Sequence, residues 1–268
     1  MPLLRHVEVE MWLPPLSSSS LRIPDGARRH AVLLSKLTSL RIIGHCIPVD
    51  ALIPEPSTPS LQEFYVSLYH KSPTFHIPHL SEFIRGTGII FCAAQVKFLR
   101  QGLTISLLTQ AHSIADLPFN ITASGPFSIS QIGIALSAMV ATVEDVFLVL
   151  NPALSFRLSF RDVAPWCEFF SQLRSVKILR VYRAVAVADV LRLGQGGSSQ
   201  SVSDILPSLE EIEIQLSSQD TLISESKRAF GLNMFGPFVI ARQKMGCPAK
   251  VYYNTDRVLP KYFYDPNE

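Results

Sequence analysis

A short pattern of apolar residues recurs along this chain of 268 residues and constrains its fold more than any other feature. It consists of an apolar residue, two free positions, a second apolar residue, one free position and a third apolar residue. The alternation that ends each copy is typical of a β-strand with one buried face. Five clear copies and a weaker sixth occupy Leu4–Val9, Leu61–Val66, Val143–Leu148, Val176–Val181, Leu209–Ile214 and, less regularly, Leu40–His45.

The spacing of the copies predicts a repeating unit of one strand and one helix. The last two intervals are both 33 residues, and the first two are 36 and 21. Because such units bury their apolar faces only by stacking, we expect an α/β leucine-rich-repeat solenoid with a curved parallel sheet and helices on its other side. An ordinary α/β domain with similar strands is the alternative. Helices are predicted at His79–Arg85, Ile129–Thr142, Pro165–Leu173 and Val185–Leu193.

The interval between the second and third clear copies, 82 residues, is too long for one unit. Within it, Ala94–Phe98 and Leu103–Leu107 alternate like strands across a short connection. This predicts an irregular hairpin at about residues 93–108 that extends or decorates the sheet, with Gly102 in its turn. The glycine- and serine-rich stretches elsewhere are too short to be domain linkers. We therefore expect a single domain over residues 1–268.

The end of the sequence predicts a capping unit at residues 227–253, which would cover the open end of the solenoid. Arg242 and Lys244 fall in the last turn of the predicted helix, where cations interact favourably with the helix dipole. Gly246 and the proline that follows would end that helix. The apolar positions of the helix form one stripe, at Phe230, Met234, Phe238 and Ala241.

The composition excludes several classes of function. Lys and Arg (24) nearly balance Asp and Glu (22), so the net charge of +2 provides no basic surface for nucleic acid or an anionic membrane. With 47% hydrophobic residues the chain is not disordered throughout. Its longest uncharged apolar stretch, Ile132–Val143, is well short of the about 20 residues of a membrane span. We expect a cytoplasmic or nuclear protein, since charges near Met1 also argue against a secretory signal.

No motif in the sequence predicts catalysis, a metal or a cofactor. The pair His76 and His79 is separated by a proline and has no cysteine or carboxylate at ligand spacing, so surface histidines are expected. Residues 194–197 lack the lysine of a phosphate loop, and His112 with Asp116 has no nucleophile beside it. The sequon at Asn120 is expected to be accidental. Buried free thiols are expected for the four widely spaced cysteines, Cys46, Cys92, Cys167 and Cys247.

The free positions that alternate with the inward apolar residues fall on the sheet face opposite the predicted helices. They are acidic at both ends of the chain and aromatic or mixed in the middle, and Tyr, Phe and Arg are frequent anchors of protein interfaces. We expect this face to bind a protein, the alternative being an ordinary solvated face. The residues selected for this role are Glu8, Glu63, Tyr65, Phe147, Ile178, Arg180, Tyr182 and Glu213.

Three segments, Pro2–Val9, Leu206–Ile214 and Phe238–Val251, resemble the leucine-rich-repeat, F-box-like proteins of mushroom-forming fungi. The last contains the F-x-x-A-R-Q helix, followed by Gly and Pro, that closes the repeats in that family. The resemblance covers nearly the whole chain. It implies a leucine-rich-repeat fold and a role in substrate recognition by an SCF-type ubiquitin ligase, in which the F-box binds a Skp1-type adaptor.

The sequence departs from that family at its beginning. Met1 is followed directly by a repeat strand, and prolines at Pro14, Pro15 and Pro24 disfavour the helices of an F-box. We therefore expect the repeat region alone, from a shortened or truncated gene product, without adaptor binding. The resulting hypothesis is a monomeric, non-enzymatic domain that binds a protein target. The alternatives are an α/β hydrolase or transferase with an unrecognised active site, and a degenerate fragment without function.

Overall fold

The structure, a computed structural model, describes residues 5–11, 37–45, 61–69, 77–99, 102–109, 119–125, 129–139, 141–150, 163–182, 187–192, 202–215 and 225–254. The strands are β1 (His6–Met11), β2 (Ser39–His45), β3 (Glu63–Tyr69), β4 (Ala93–Leu99), β5 (Gly102–Leu108), β6 (Phe119–Ser124), β7 (Asp145–Leu150), β8 (Ile178–Tyr182), β9 (Glu211–Gln215) and β10 (Lys250–Asn254). The helices are α1 (Pro78–Gly86), α2 (Ile129–Met139), α3 (Ala164–Gln172), α4 (187–192) and α5 (Glu225–Lys244), with a 3₁₀ turn at Val202–Asp204.

All ten strands form one sheet in the order β1-β2-β3-β6-β5-β4-β7-β8-β9-β10. Every neighbouring pair is parallel except the two pairs that β5 makes with β6 and β4. The predicted α/β class with a mostly parallel sheet is confirmed. Strands β1 to β3 and β7 to β10 lie side by side in chain order, whereas β4, β5 and β6 are inserted between them in reverse order.

The predicted hairpin is the antiparallel pair β4–β5, but its surroundings differ from expectation. It lies in the middle of the sheet instead of extending it, because β6, which the sequence analysis did not identify, pairs with both β3 and β5. Gly102 is the first residue of β5 and pairs with Leu99, so it is not the turn residue predicted. A Cβ at this position would overlap the carbonyl oxygen of Ala123. Glycine is therefore required by the close approach of β6.

The helices pack on one face of the sheet. The strand residues of the hydrophobic core all come from alternate positions on that face, as Phe64 and Phe98 illustrate. The ring of Phe64 lies 5.3 Å from that of Phe83 on α1, and the ring of Phe98 lies 5.5 Å from that of Trp166 on α3. Burial of such aromatic side chains contributes about 1.5–3 kcal/mol each. The other face therefore presents the alternate, mostly polar positions of every strand.

The described helices match the predicted segments to within a few residues. Proline in the first turn starts both α1 and α3, as its fixed φ and missing N–H favour. Helix α2 approaches α3 so closely that a Cβ on Gly133 would lie 2.7 Å from the Cα of Phe169. On α5, Phe238 is buried and Met234 and Ala241 are half-buried, in agreement with the predicted stripe, while the Phe230 side chain lies outside the described residues.

Arg242 lies in the last turn of α5, as predicted, but its side chain is buried there. It is 1% exposed, and burial lowers the pKa of its guanidinium. It donates hydrogen bonds to five backbone carbonyl oxygens, which belong to Ile205, Leu206, Pro207, Leu209 and Cys247. Arg242 therefore joins α5 to the segment that leads into β9.

Of the four cysteines, Cys92, Cys167 and Cys247 lie among the described residues and are free thiols. Only Cys167 of these three is fully buried, and Cys46 lies outside the described residues. Within the described ranges, no helix combines the length and the apolar character that crossing a membrane requires.

Candidate functional site

The sheet face opposite the helices carries one continuous row of side chains that crosses all ten strands. Each member is the direct register partner of the next, so the row runs perpendicular to the strands at a single level. We call it the polar row. Its members, in spatial order, are Glu8, Arg41, Tyr65, Asn120, Ser106, Gln95, Phe147, Arg180, Glu213 and Tyr252.

All eight residues predicted from the sequence lie on this face. Five of them belong to the polar row itself, namely Glu8, Tyr65, Phe147, Arg180 and Glu213. The remaining three lie on the same face, two residues away from the row along their strands. Glu63 and Ile178 are nearer the amino ends of the strands, and Tyr182 is nearer the carboxyl ends.

The structure does not bring these eight residues into one continuous group. Phe147, Arg180 and Glu213 are direct neighbours on β7, β8 and β9. Tyr65, however, is separated from Phe147 by three strands, which the sequence analysis did not place between them. Glu8 and Tyr65 are in turn separated by Arg41.

Five members of the polar row were not predicted from the sequence. Gln95 and Ser106 alternate with apolar residues on the predicted hairpin, so the same alternation placed them on this face. Asn120 lies between the apolar residues Phe119 and Ile121, and this alternation of apolar and polar positions is the signal that could have predicted β6. The other two are Arg41, on the weaker copy of the pattern, and Tyr252, on the last strand.

At its β1 end the polar row is charged and solvated. Arg41 Nε lies 3.3 Å from Oε1 of Glu8, and its guanidinium lies 5.0 Å from the ring centroid of Tyr65. About half of each charged side chain is exposed, so the ion pair contributes at most about 1 kcal/mol to stability. These contacts orient the Arg41 and Tyr65 side chains toward each other.

Near its other end the polar row centres on Arg180, which is much less exposed. Its Nη2 lies 2.9 Å from Asp145 Oδ2, and its Nε lies 2.7 Å from Glu213 Oε2, although the Nε–H does not point at a hydrogen-bond acceptor. Because the three side chains are only 14–21% exposed, water screens the two ion pairs less than it does at the Arg41 end. Arg180 is therefore held in a fixed orientation between two carboxylates.

The middle of the polar row is recessed and uncharged. Ser106 and Gln95 are 1% and 5% exposed, whereas Tyr65 and Phe147 on either side are larger and less buried. Among the described residues, Nε2 of Gln95 and Oδ1 of Asn120 find no hydrogen-bond partner. A buried polar group left without a partner costs about 1–3 kcal/mol. Both atoms are also shielded from solvent, so this donor and this acceptor are unpaired among the described residues.

The whole polar face has an acidic excess. Its described strand positions hold six carboxylates and four cations, although the chain as a whole is slightly basic. Three of the carboxylates and one of the cations lie on β1, β2 and β3, so the excess is largest there. The carboxylates belong to Glu8, Glu10, Glu63, Asp145, Glu211 and Glu213, and the cations to Arg41, Lys97, Arg180 and Lys250.

The other candidates from the sequence contribute less. No group of three or more potential metal ligands occurs among the residues that the structure describes. His79 lies in α1, while His76, His112, Asp116 and the run 194–197 lie outside the described residues. A cavity of about 370 Å³ lies between the ends of α2 and α3, lined mainly by apolar surface and by Ser137, Arg174 and Ser175. Both serine hydroxyls already donate to backbone carbonyl oxygens.

Comparison with known proteins gives no relative from which a site could be transferred. No protein-family model matches the chain, and neither a curated protein nor a solved structure matches it significantly.

Proposed function

We propose that the chain is a non-enzymatic binding domain that holds a protein partner across the polar row. The observation that carries this proposal is the continuity of the row. Ten side chains are aligned across ten strands, with aromatic and arginine residues at intervals. Aromatic and arginine side chains are the groups that most often anchor protein interfaces.

The dimensions of the face suit a macromolecule. Ten strands at about 4.8 Å spacing make the row about 43 Å long, and five residues along each strand cover about 17 Å. The resulting area of roughly 700 Å² is close to the roughly 800 Å² that each partner contributes to a standard protein interface. A small-molecule site is instead concave and local.

Under the same proposal, the repeated strand-and-helix units form a leucine-rich-repeat solenoid that works in the cytoplasm or nucleus. The mostly parallel sheet with helices packed on one face supports this architecture. The resemblance noted above adds substrate recognition for an SCF-type ubiquitin ligase as the biological context. The central reversed strands β4, β5 and β6 are an irregular feature within that solenoid.

Site-specific photocrosslinking tests the proposal. A photoreactive phenylalanine analogue replaces Phe147 in the polar row or, as the matched control, Ile134, which is exposed on α2. The full chain is then irradiated in an extract of the source cell. We expect one protein to crosslink at position 147 and not at 134, and to be lost when Arg180→Glu is added.

Three results would argue against a binding role. Equal crosslinking at both positions would indicate nonspecific contact, and a partner that survives Arg180→Glu would bind elsewhere. A chain that unfolds without a cooperative transition would favour the degenerate fragment. Recovery of a Skp1-type adaptor together with the partner would extend the proposal to the ubiquitin ligase.

A further inference from the structure

We propose that copies of this chain associate head to tail, with β10 of one copy pairing in parallel with β1 of the next. These are the two end strands of the described sheet, and each pairs with another described strand on one side only. The inference goes beyond the proposed function and does not rest on it. It also replaces the monomer expected from the sequence with an open chain of copies, because a contact between two different edges does not close on itself.

The backbone groups of the two end strands point in complementary directions. In a parallel sheet, alternate residues of a strand bond to the strand on one side, and the residues between them point to the other side. The carbonyl oxygen of Arg5 accepts from β2, so the peptide groups of His6 and Glu8 point away from β2. On β10, Lys250 donates its N–H to the residue before β9, so the peptide groups of Val251 point away from β9. Val251 of one copy can therefore bond to His6 and Glu8 of the next.

The register of this pairing follows from the level of the polar row. Tyr252 and Glu8 are the two end members of the row, so continuing it from one copy to the next places them side by side. Val251 then lies opposite Val7. Both valines are half-buried and pack against the hydrophobic core on the helix side of the sheet. The two copies thus join their apolar layers as well as their polar rows.

The polar face already contains an ion-pair pattern that spans three strands. Arg180 on β8 pairs with Glu213, its register partner on β9. On its other side it pairs with Asp145 of β7, which lies diagonally, two residues before the register partner Phe147. One direct neighbour and one diagonal neighbour therefore hold the central charge from both sides.

The junction between two copies repeats this pattern with opposite signs. Glu8 pairs with Arg41, its register partner on the next strand, at 3.3 Å. In the continued sheet, Lys250 of the preceding copy takes the diagonal position on the other side of Glu8, as Asp145 does beside Arg180. Lys250 is exposed and makes no ion pair within the described part of the chain. It is therefore available as the second cation beside Glu8, and this charge complementarity selects the β1 edge of another copy as the occupant.

Sedimentation velocity of the full chain over a range of concentrations tests the proposal. We expect the mean mass to rise with concentration beyond that of a dimer and to fall at high salt. The variant Lys250→Glu and the double variant Glu8→Lys with Arg41→Glu should each associate about tenfold more weakly, because like charges then meet at the junction. Arg85→Glu, an exposed change of the same charge on α1, is the control and should leave association unchanged.

An equimolar mixture of the two variants is the sharper measurement. Position 250 of each variant meets an opposite charge at position 8 of the other, so association should return to about the wild-type level. His6→Pro removes an N–H that points away from β2 and should block growth without loss of the β1–β2 pairing. Cooperative unfolding by circular dichroism verifies that each variant is folded.

A full chain that stays monomeric at every concentration overturns the proposal, and so does a mixture that associates no better than its two components. Growth that stops at the dimer would show that like edges pair instead. None of these results affects the proposed function, because its crosslinking position, Phe147, lies on β7, three strands from β10. Failure to crosslink a partner at Phe147 would equally leave the association of copies standing.

Discussion

Arg242 Nη1 lies 3.0 Å from the carbonyl oxygen of Leu206, a residue with a left-handed φ of 53°. A left-handed conformation costs a leucine roughly 1–2 kcal/mol. The guanidinium also bonds to the carbonyls of Ile205 and Leu209 on either side. The strained turn before β9 is therefore held by a side chain from the last helix.

The first prediction is that this arginine is essential for stability. Arg242→Met leaves buried carbonyl oxygens without donors and should lower the free energy of unfolding by about 3 kcal/mol. Arg242→Lys keeps the charge but not the planar fork of donors, and should lower it by about 2 kcal/mol. Urea unfolding followed by circular dichroism measures both. The control, Arg192→Met, breaks only an exposed pair with Asp189 and should change stability by less than about 0.5 kcal/mol. An effect of Arg242→Met as small as that of the control would contradict this role.

The second prediction concerns the contact between α2 and α3. Alanine at position 133 would place its Cβ 2.7 Å from the Cα of Phe169, so the helices would have to separate. Although alanine favours helices over glycine, Gly133→Ala should lower the melting temperature and destabilise the fold by about 1–3 kcal/mol. Ser137→Ala is the matched control, because Ser137 lies on the same helix, is only half-buried and donates its hydroxyl to Ile134 of that helix. If Gly133→Ala stabilises the protein, the helices are not in this close contact.

The third prediction is that the unpaired amide nitrogen of Gln95 lowers the stability of the chain. Gln95→Leu removes the unpaired Nε2 and keeps a side chain of similar size, so the free chain should become about 1 kcal/mol more stable. The exposed control Gln243→Leu on α5 should be nearly neutral. Denaturant titration of the two variants measures the change in the free energy of unfolding. A loss of stability in Gln95→Leu would show that its amide is already satisfied in the folded chain.

The sequence predicted the elements of this fold better than their arrangement. Alternation and spacing identified the strands around Phe64, Leu148 and Ile212 and the helix around Trp166, because each has a strong local apolar pattern. The order β6-β5-β4 could not be derived in this way. Strand pairing depends on contacts between distant segments, which the local pattern of β6 does not record.

For the candidate site, the sequence predicted the sheet face of each residue but not which residues are neighbours on it. Because side chains alternate strictly along a strand, the face of every selected residue followed from its position in the pattern. Which residues are neighbours on that face did not follow, because the three central strands separate Tyr65 from Phe147. The burial of Arg242 was not predicted either, because an arginine in a helix is expected to be exposed unless its hydrogen-bond partners are known.

The last prediction uses the buried thiol of α3. Burial raises the pKa of Cys167, because its thiolate would lose solvation in the core beside Trp166 and Phe170. Below about pH 8.5 the thiol is protonated in the folded and the unfolded chain alike, so it adds no pH dependence. Above that pH the unfolded chain releases the proton more readily, and the free energy of unfolding should fall.

Iodoacetamide labelling followed by mass spectrometry provides the measurement. At pH 8, Cys167 should react only through unfolding, at least about a thousandfold more slowly than a free thiol. The half-buried Cys247, which lies between α5 and β10, serves as the internal control and should react through local motion. Cys167→Ala should remove the part of the stability loss above pH 8.5 that this thiol causes. Because the substitution leaves a small cavity in the core, it should also lower the free energy of unfolding by about 1 kcal/mol at pH 7. Rapid labelling of Cys167 in the folded chain would mean that α3 does not pack against the sheet as described.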